Sequence, residues 1–428
     1  VDRQRHGFTL IELLITISII GIMAVMVLFA MFQAQETAKA HRTRALVTKL
    51  NTIIMRRYDE YRTRRVPYIF PAVSQSASPA DQVNAQRALA KARLDCLRDL
   101  MRLEMPDRWS DVTDNPVTPF PHGLNSSILP TFNGQIARPA VSTRYLNKYG
   151  LGTATTENQG AECLYMIVME SLAQEGDSRD FFKPTDIGDV DSDGFPEFVD
   201  AWNQPIEFIR WAPGYLSEMQ APLRLAGKLQ VDSHTATIVV SKNDGPRLNQ
   251  APGSYVGGAI VLMRDSIPQM DVHRMGRITG YRYDATTTPP TVIFTCSTPS
   301  GVSQQPFEGQ TLNNAEFVVL QPDPFDSRGI YPIYNSMPHL ASPTYAIYPL
   351  IISKGKDQAM GIKDGMGGGG TLHYTQEGLN PFYYAPPISG ADNYELMLGT
   401  IPQKESGEPK WYLGCDKDNI TNQQMTTR

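Results

Sequence analysis

The sequence predicts an α+β fold: one long N-terminal helix packed on a large C-terminal domain with an antiparallel β-sheet. Three observations predict it. Twenty residues without a charge, nearly all apolar, follow Glu12 and run to Phe32. From Gln33 to Arg65 there is no Gly or Pro, and Leu46, Leu50, Ile53, Ile54, Tyr58 and Tyr61 recur at three- and four-residue steps. From Pro205 onward, short β-branched and aromatic runs alternate with Gly, Pro and Asn. Helix first and strands later is the α+β order.

Taken in chain order, the apolar run comes first. At about 1.5 Å of rise per residue it spans the roughly 30 Å of a hydrocarbon core. It is too long for the apolar region of a cleaved secretory signal, and no small-residue cleavage site follows it. Flanking charge does not orient it, because Arg3 and Arg5 lie on one side and Lys39, Arg42 and Arg44 on the other. We expect the helix to continue as an amphipathic segment over 33–65. That makes one helix from about Phe8 to Arg64, ended by Val66-Pro67. Gly21, inside the apolar half, is a point of close packing or melting, or is only tolerated. Residues 71–79 read as a linker. Ala80–Leu103 reads as a helix closed by Met105-Pro106, and 107–160 as loop with a short helix or two. Ala161–Gln174 reads as a compact, largely buried helix. Candidate strands are Ile206–Trp211, Thr235–Ser241, Ala259–Met263, Thr291–Thr295, Ala315–Leu320 and Tyr345–Ile352. The expected organisation is therefore the helix over 8–65, a helical and loop-rich part over 66–204, and a β-rich part over 205–428.

Charge and cysteine usage narrow the function. A net charge of -5 makes no general case for nucleic acid. Between Gln33 and Arg65, however, nine basic residues face three acidic ones, so this segment either touches anionic headgroups or is the solvated face of a helix. The four cysteines, Cys96, Cys163, Cys296 and Cys415, show no CxxC or zinc spacing. They permit two disulfides in three connectivities, or free buried thiols.

The sharpest local pattern is Asp189-Val190-Asp191-Ser192-Asp193-Gly194-Phe195-Pro196-Glu197-Phe198-Val199-Asp200. Carboxylates fall at positions 1, 3, 5, 9 and 12 of a twelve-residue loop, with glycine at position 6. This is the Ca²⁺ loop template with Asp in place of Glu at the end. A hard cation takes six to eight oxygens, and the glycine allows the turn that brings alternate side chains inward. The expected ligands are Asp189, Asp191, Asp193, Glu197, Asp200 and the backbone carbonyl of Phe195. The competing explanation is an acidic, solvated turn. Lys183-Pro184 before the loop and Ala201–Ile206 after it leave no room for the two helices of a full EF-hand.

Other patterns carry less. Gly365–Thr371 fits a glycine-rich loop without the lysine of a phosphate site. His273 and His373 lack paired metal spacing, and no GxSxG elbow is present, so no catalytic constellation is expected. The late tyrosines Tyr331, Tyr334, Tyr345, Tyr348, Tyr383 and Tyr384 read as strand packing before a glycan-binding face.

Glu12 remains to be explained. An ionised carboxylate at the head of an apolar span costs several kcal/mol unless a partner meets it. Gly7-Phe8-Thr9-Leu10-Ile11-Glu12 followed by an apolar helix closely resembles the class III signal of type IV pilins and type II secretion pseudopilins. The resemblance implies a pilin-like fold and a leader over 1–7. It implies cleavage between Gly7 and Phe8 by a prepilin peptidase, and N-methylation of Phe8. It also implies that the apolar helix spans the membrane before assembly, then leaves it for the core of a helical homo-oligomeric filament. There Glu12 would pair with the terminal amine of a neighbouring subunit. Asp200-Ala201-Trp202-Asn203-Gln204-Pro205-Ile206 resembles the Asp-Pro-Trp-Gly-Asn-Pro-aromatic stretch of the calcium-binding major pseudopilins, with Ala201, Asn203-Gln204 and Ile206 as departures. Tyr348–Asp357 and Asp418–Asn422 resemble the late strand and tail of the same group.

The function expected from this is a non-enzymatic filament subunit. It would sit in the bacterial inner membrane as a precursor, served by inner-membrane assembly machinery, and later in an extracellular or periplasmic filament. The alternatives are a minor, tip-located pseudopilin and a membrane-anchored surface-binding domain.

Overall fold

The computed structural model describes residues 10–70, 78–117, 136–149, 155, 157–175, 181–212, 215, 217, 219, 223–231, 235–240, 248–263, 275–286, 291–297, 312–326, 345–360, 362 and 419–423.

The first helix, α1, runs Leu10–Glu60 over 51 residues, about 75 Å at the α-helical rise. It ends four residues short of the expected Arg64, in a turn where the Tyr61 and Arg62 N–H groups donate to Tyr58 O (3.3 Å) and Asp59 O (3.2 Å). Its two halves differ. Leu10 to Gln35 are all exposed. Thr43, Leu46, Val47, Leu50, Ile54 and Tyr58 form a buried stripe at helical spacing. Two polar contacts lock that stripe in place: the Tyr58 hydroxyl donates to Ile347 O (2.7 Å) and the Tyr61 hydroxyl to Glu104 Oε2 (2.7 Å).

Among the described residues, four more helices follow. They are α2 (Pro79–Glu104), α3 (Trp109–Thr113), α4 (Ala140–Tyr149) and α5 (Gln159–Glu175). Ser78 caps α2 by accepting the Asp81 N–H (3.2 Å), with Pro79 at the first helical position. A short 3₁₀ turn, Pro184–Asp186, leads into a hairpin of β1 (Ile187–Gly188) and β2 (Glu197–Phe198). Next come β3 (Glu207–Ile209), then β4 (Leu223–Val231), β5 (Thr235–Val240), β6 (Ala259–Met263), β7 (Met275–Asp284), β8 (Thr291–Ser297) and β9 (Leu312–Leu320). The last strands are β10 (Leu350–Ser353) and β11 (Ile420–Thr421).

The strands divide into three groups. β1 and β2 form their own hairpin, and β11-β10-β3 form a small antiparallel sheet against α1. The six strands between β3 and β10 close into an antiparallel barrel in the order β4-β5-β8-β7-β6-β9. Sequence patterning located β5, β6, β8 and β9 but not β4 or β7. Both missed strands carry glycine and basic residues, which mask the alternation. Gly227 in β4 is needed because a Cβ there would meet Val239 O at 2.5 Å, and the register against β9 shifts at this residue.

Burial follows the pairing. Leu225, Leu229, Ile238, Ile260, Ile278, Val292, Phe294, Phe317 and Val319 fill the barrel interior. Ala259, Val318 and Leu320 point the other way and join the main core of α1, α2, α5 and β3. The barrel thus shares two strands with the body of the domain. Arg98 of α2 also reaches Asp323, just after β9, at 3.1 Å. The expected 204/205 boundary falls immediately before β3, whose partner β10 comes from beyond the barrel.

Cys96, Cys163 and Cys296 are buried free thiols, and burial pushes Cys96 and Cys296 up to about 12. Tyr345 is buried, and half-buried Tyr348 packs beside Tyr58 (5.9 Å). Gly7, Phe8, residues 71–77, Gly365–Thr371, His273, His373, Tyr331, Tyr334, Tyr383, Tyr384, Cys415 and Asp418 lie outside the described residues.

Candidate metal centre and the N-terminal helix

The acidic loop is the tip of the β1–β2 hairpin. Ser192 (φ 61°) and Gly194 (φ 95°) both take the left-handed conformation that glycine adopts without strain. They wind the loop so that Asp189 accepts the N–H groups of Asp193 (3.2 Å) and Gly194 (3.2 Å), while Asp193 accepts that of Phe195 (2.9 Å). The Phe195 ring packs edge-on against Trp109 (4.9 Å), anchoring the loop to α3.

Carboxylate oxygens of Asp189, Asp191 and Glu197 lie within 4.8 Å of one another. Those of Asp191 and Asp193 make a second such group with Glu162, in the first turn of α5. Sequence spacing missed Glu162 because it lies 27 residues before the loop. The available signal was one carboxylate at the head of the apolar helix AECLYMIVM, a place that needs a partner. Thr155 joins from the segment before α5. Its N–H donates to Asp193 Oδ2 (2.8 Å) and its hydroxyl to Asp191 Oδ2 (2.8 Å).

Three oxygens of this cluster are buried with no hydrogen-bond partner: Glu162 Oε1, Asp191 Oδ1 and Glu197 Oε1. The second oxygen of each glutamate is used. Trp109 Nε1 donates to Glu162 Oε2, and the Val190 N–H donates to Glu197 Oε2 (3.0 Å). Among the described residues, no basic side chain pairs with Glu162, Asp189, Asp191 or Glu197. Burial, aided by the neighbouring aspartates, pushes the Glu162 carboxyl up to about 9 and the Glu197 carboxyl up to about 7. All-oxygen, all-acidic donors with orphaned buried lone pairs suit a hard divalent cation such as Ca²⁺.

Asp200 is elsewhere. Its Oδ1 accepts the N–H groups of Trp202 (2.8 Å) and Gln204 (2.9 Å), and its Oδ2 accepts the Ser353 hydroxyl (2.7 Å). It holds the turn over 200–204 and ties it to β10. That turn grips α1: the Ala201 N–H donates to Thr43 Oγ1 (3.1 Å) and Trp202 Nε1 to Glu36 (3.2 Å). At the other foot of the hairpin, Arg42 donates to Thr185 O (2.8 Å) and Asp186 Oδ1 (2.7 Å). Both ends of the acidic hairpin therefore bind the middle of α1.

Glu12 lies in the first, exposed turn of α1. Every large apolar side chain from Leu10 to Phe32 is 51% to 82% exposed. The hydroxyls of Thr16 and Ser18 donate back to Leu13 O (2.8 Å) and Leu14 O (2.8 Å), so neither needs water. A Cβ at Gly21 would meet open space, so among the described residues nothing packs against it.

The family model of the prokaryotic N-terminal methylation motif matches residues 2–28. Comparison with curated proteins and with solved structures finds no match. The match ends inside α1 and covers none of the residues after it.

Proposed function

From an N-terminus that is a class III prepilin signal, on a chain whose motif is that of a pilin-like or pseudopilin subunit, we propose a structural subunit of a type IV pilus-like filament. Assembly proceeds through α1, and one bound Ca²⁺ stabilises the soluble domain. The observation that carries this is the apolar half of α1, exposed throughout from Leu10 and headed by the methylation motif. Such a surface needs lipid or other copies of itself to cover it.

In this reading the peptidase cuts between Gly7 and Phe8, and the new Phe8 amine is methylated. The helix is held in the inner membrane until it enters the filament core. Glu12 supplies register: its desolvation is offset where the terminal amine of a neighbouring subunit meets it. The role is assembly rather than turnover. Asp189, Asp191, Asp193 and Glu197 would hold the cation, which supplies positive charge to this acidic loop. Because it binds the folded domain, it stabilises by mass action. A minor subunit at the tip of a secretion pseudopilus is the second reading. It is favoured by the bulk of the inserted barrel, which enlarges the head each subunit places on a filament surface.

The test is Glu12→Ala in the full chain. We expect membrane insertion at the wild-type level and loss of most filament yield in electron micrographs of sheared cells. Wild-type yield would remove the registration role. Long filaments containing this chain alone would exclude the tip position.

A further inference from the structure

We propose that the cation site is bipartite: Glu162 of α5, not Asp200, completes it, so that one hard divalent cation ties the β1–β2 hairpin to α5. The inference rests on the calcium reading above and assigns its ligands.

The geometry divides the two candidates cleanly. Both oxygens of Asp200 are already taken by three hydrogen bonds that build a turn, and one of those donors belongs to β10. The oxygens of Asp200 fall in neither group of neighbouring carboxylates. Glu162, by contrast, has an oxygen within 4.8 Å of the ligand atoms of Asp191 and Asp193. The residue is 2% exposed, and its Oε1 is buried with no hydrogen-bond partner. Glu197, 0% exposed, orphans its Oε1 in the adjoining group. Asp191 belongs to both groups and orphans Oδ1. Two groups of neighbouring carboxylate oxygens, one including Glu162 and one including Glu197, thus share Asp191, and each holds a buried acceptor with no hydrogen-bond partner. A cation with six to eight oxygen ligands satisfies them together.

The Trp109 indole holds Glu162 Oε2 and leaves Oε1 for the site, so Trp109 acts as the supporting partner that orients the ligand. The consequence is mechanical. α5 is the buried helix of the main core, and both feet of the hairpin grip α1. A cation at this point joins the core helix to the segment that holds the filament helix.

The experiment is calorimetric titration of CaCl₂, with MgCl₂ as control, into the full chain in detergent, for the wild type, Glu162→Gln and Asp200→Asn. We expect one Ca²⁺ per wild-type chain. Glu162→Gln should weaken it at least as much as the roughly 10–100-fold that losing an outer-shell partner costs. Asp200→Asn should leave affinity within about threefold. Hydrogen exchange of the wild type with and without Ca²⁺ removes dependence on the variants folding. Protection should rise both over 187–198 and in the first turn of α5. Wild-type affinity in Glu162→Gln, or protection confined to the hairpin, overturns the bipartite site while leaving calcium in place. No Ca²⁺ binding by the wild type overturns the calcium reading and this inference with it.

Discussion

Two carboxylate clusters lie in one domain, and they are built on opposite plans. In the first, Asp99, Asp107 and Asp111 meet Arg102, Arg108 and Arg210. Arg102 Nε donates to Asp99 (2.9 Å), Arg210 Nη1 to Asp111 (2.8 Å) and Arg108 Nε to Asp107 (3.2 Å). Three acids face three guanidiniums. Burial raises Asp99 and Asp111 despite these partners, but at Asp107 Arg210 and then Arg108 outweigh it and hold that carboxyl at about 2. In the second, Glu162, Asp189, Asp191, Asp193 and Glu197 gather on the hairpin and α5, and burial drives Glu162 up to about 9 instead. The first cluster carries its own counter-charge. In the second, among the described residues, no basic side chain pairs with Glu162, Asp189, Asp191 or Glu197, and acids left to protons or to an ion from solution are a candidate for function.

The largest expected effect comes from removing the counter-charge of the first cluster. Arg210→Met leaves Asp107 and Asp111 buried beside each other, and should cost about 3–5 kcal/mol of stability. Thermal unfolding with Ca²⁺ saturating would measure it. A loss under about 1 kcal/mol would mean that Arg210 is not what balances these acids.

Next in size is the pH response of the second cluster. In chelator, Glu162 and Glu197 have folded values of about 9 and about 7, against an unfolded value of about 4.3. The folded chain therefore binds more protons than the unfolded chain across that window. Their contribution is complete below the unfolded value and is lost as pH rises through the folded values. The Tm of chelated protein should fall from pH 5 to pH 9. The stabilisation by Ca²⁺, taken as the difference between the two curves, should grow over the same range. Asp107, held at about 2, is ionised throughout and adds no slope there. A difference that stays flat would equate the two clusters.

The smallest effect sharpens the boundary of the second cluster. Thr155→Val removes the hydroxyl donated to Asp191 but keeps the backbone bond to Asp193. It should cost about 1 kcal/mol in chelator. A loss as large as that of Arg210→Met would make Thr155, rather than a cation, the principal balance of the site.

Much of this was legible in advance, for identifiable reasons. The apolar run after Glu12 and the stripe from Leu46 to Tyr58 are local periodicities, and α1 follows them closely. The acidic loop was legible because its carboxylates from Asp189 to Glu197 lie within nine residues of each other, where spacing is geometry. The prepilin signal was legible as a contiguous motif. Spacing alone does not place Asp200. It fits position 12 of the template, yet β2 and the turn after it carry that side chain away to Ser353.

What the sequence by itself determined is everything whose partners are close along the chain: the long helix, the hairpin loop and the α+β order. Tertiary structure alone decided three things, each because the partners are far apart. Gly227 and the charged residues of β4 hide a strand whose role appears only when β9 closes the barrel beside it. The sheet beside α1 joins residues 207–209 to 350–353 and 420–421, a pairing that no local pattern encodes. And Glu162 meets Asp191 and Asp193 because packing of α5 against β2 and β3 brings a buried carboxylate to the mouth of an acidic loop.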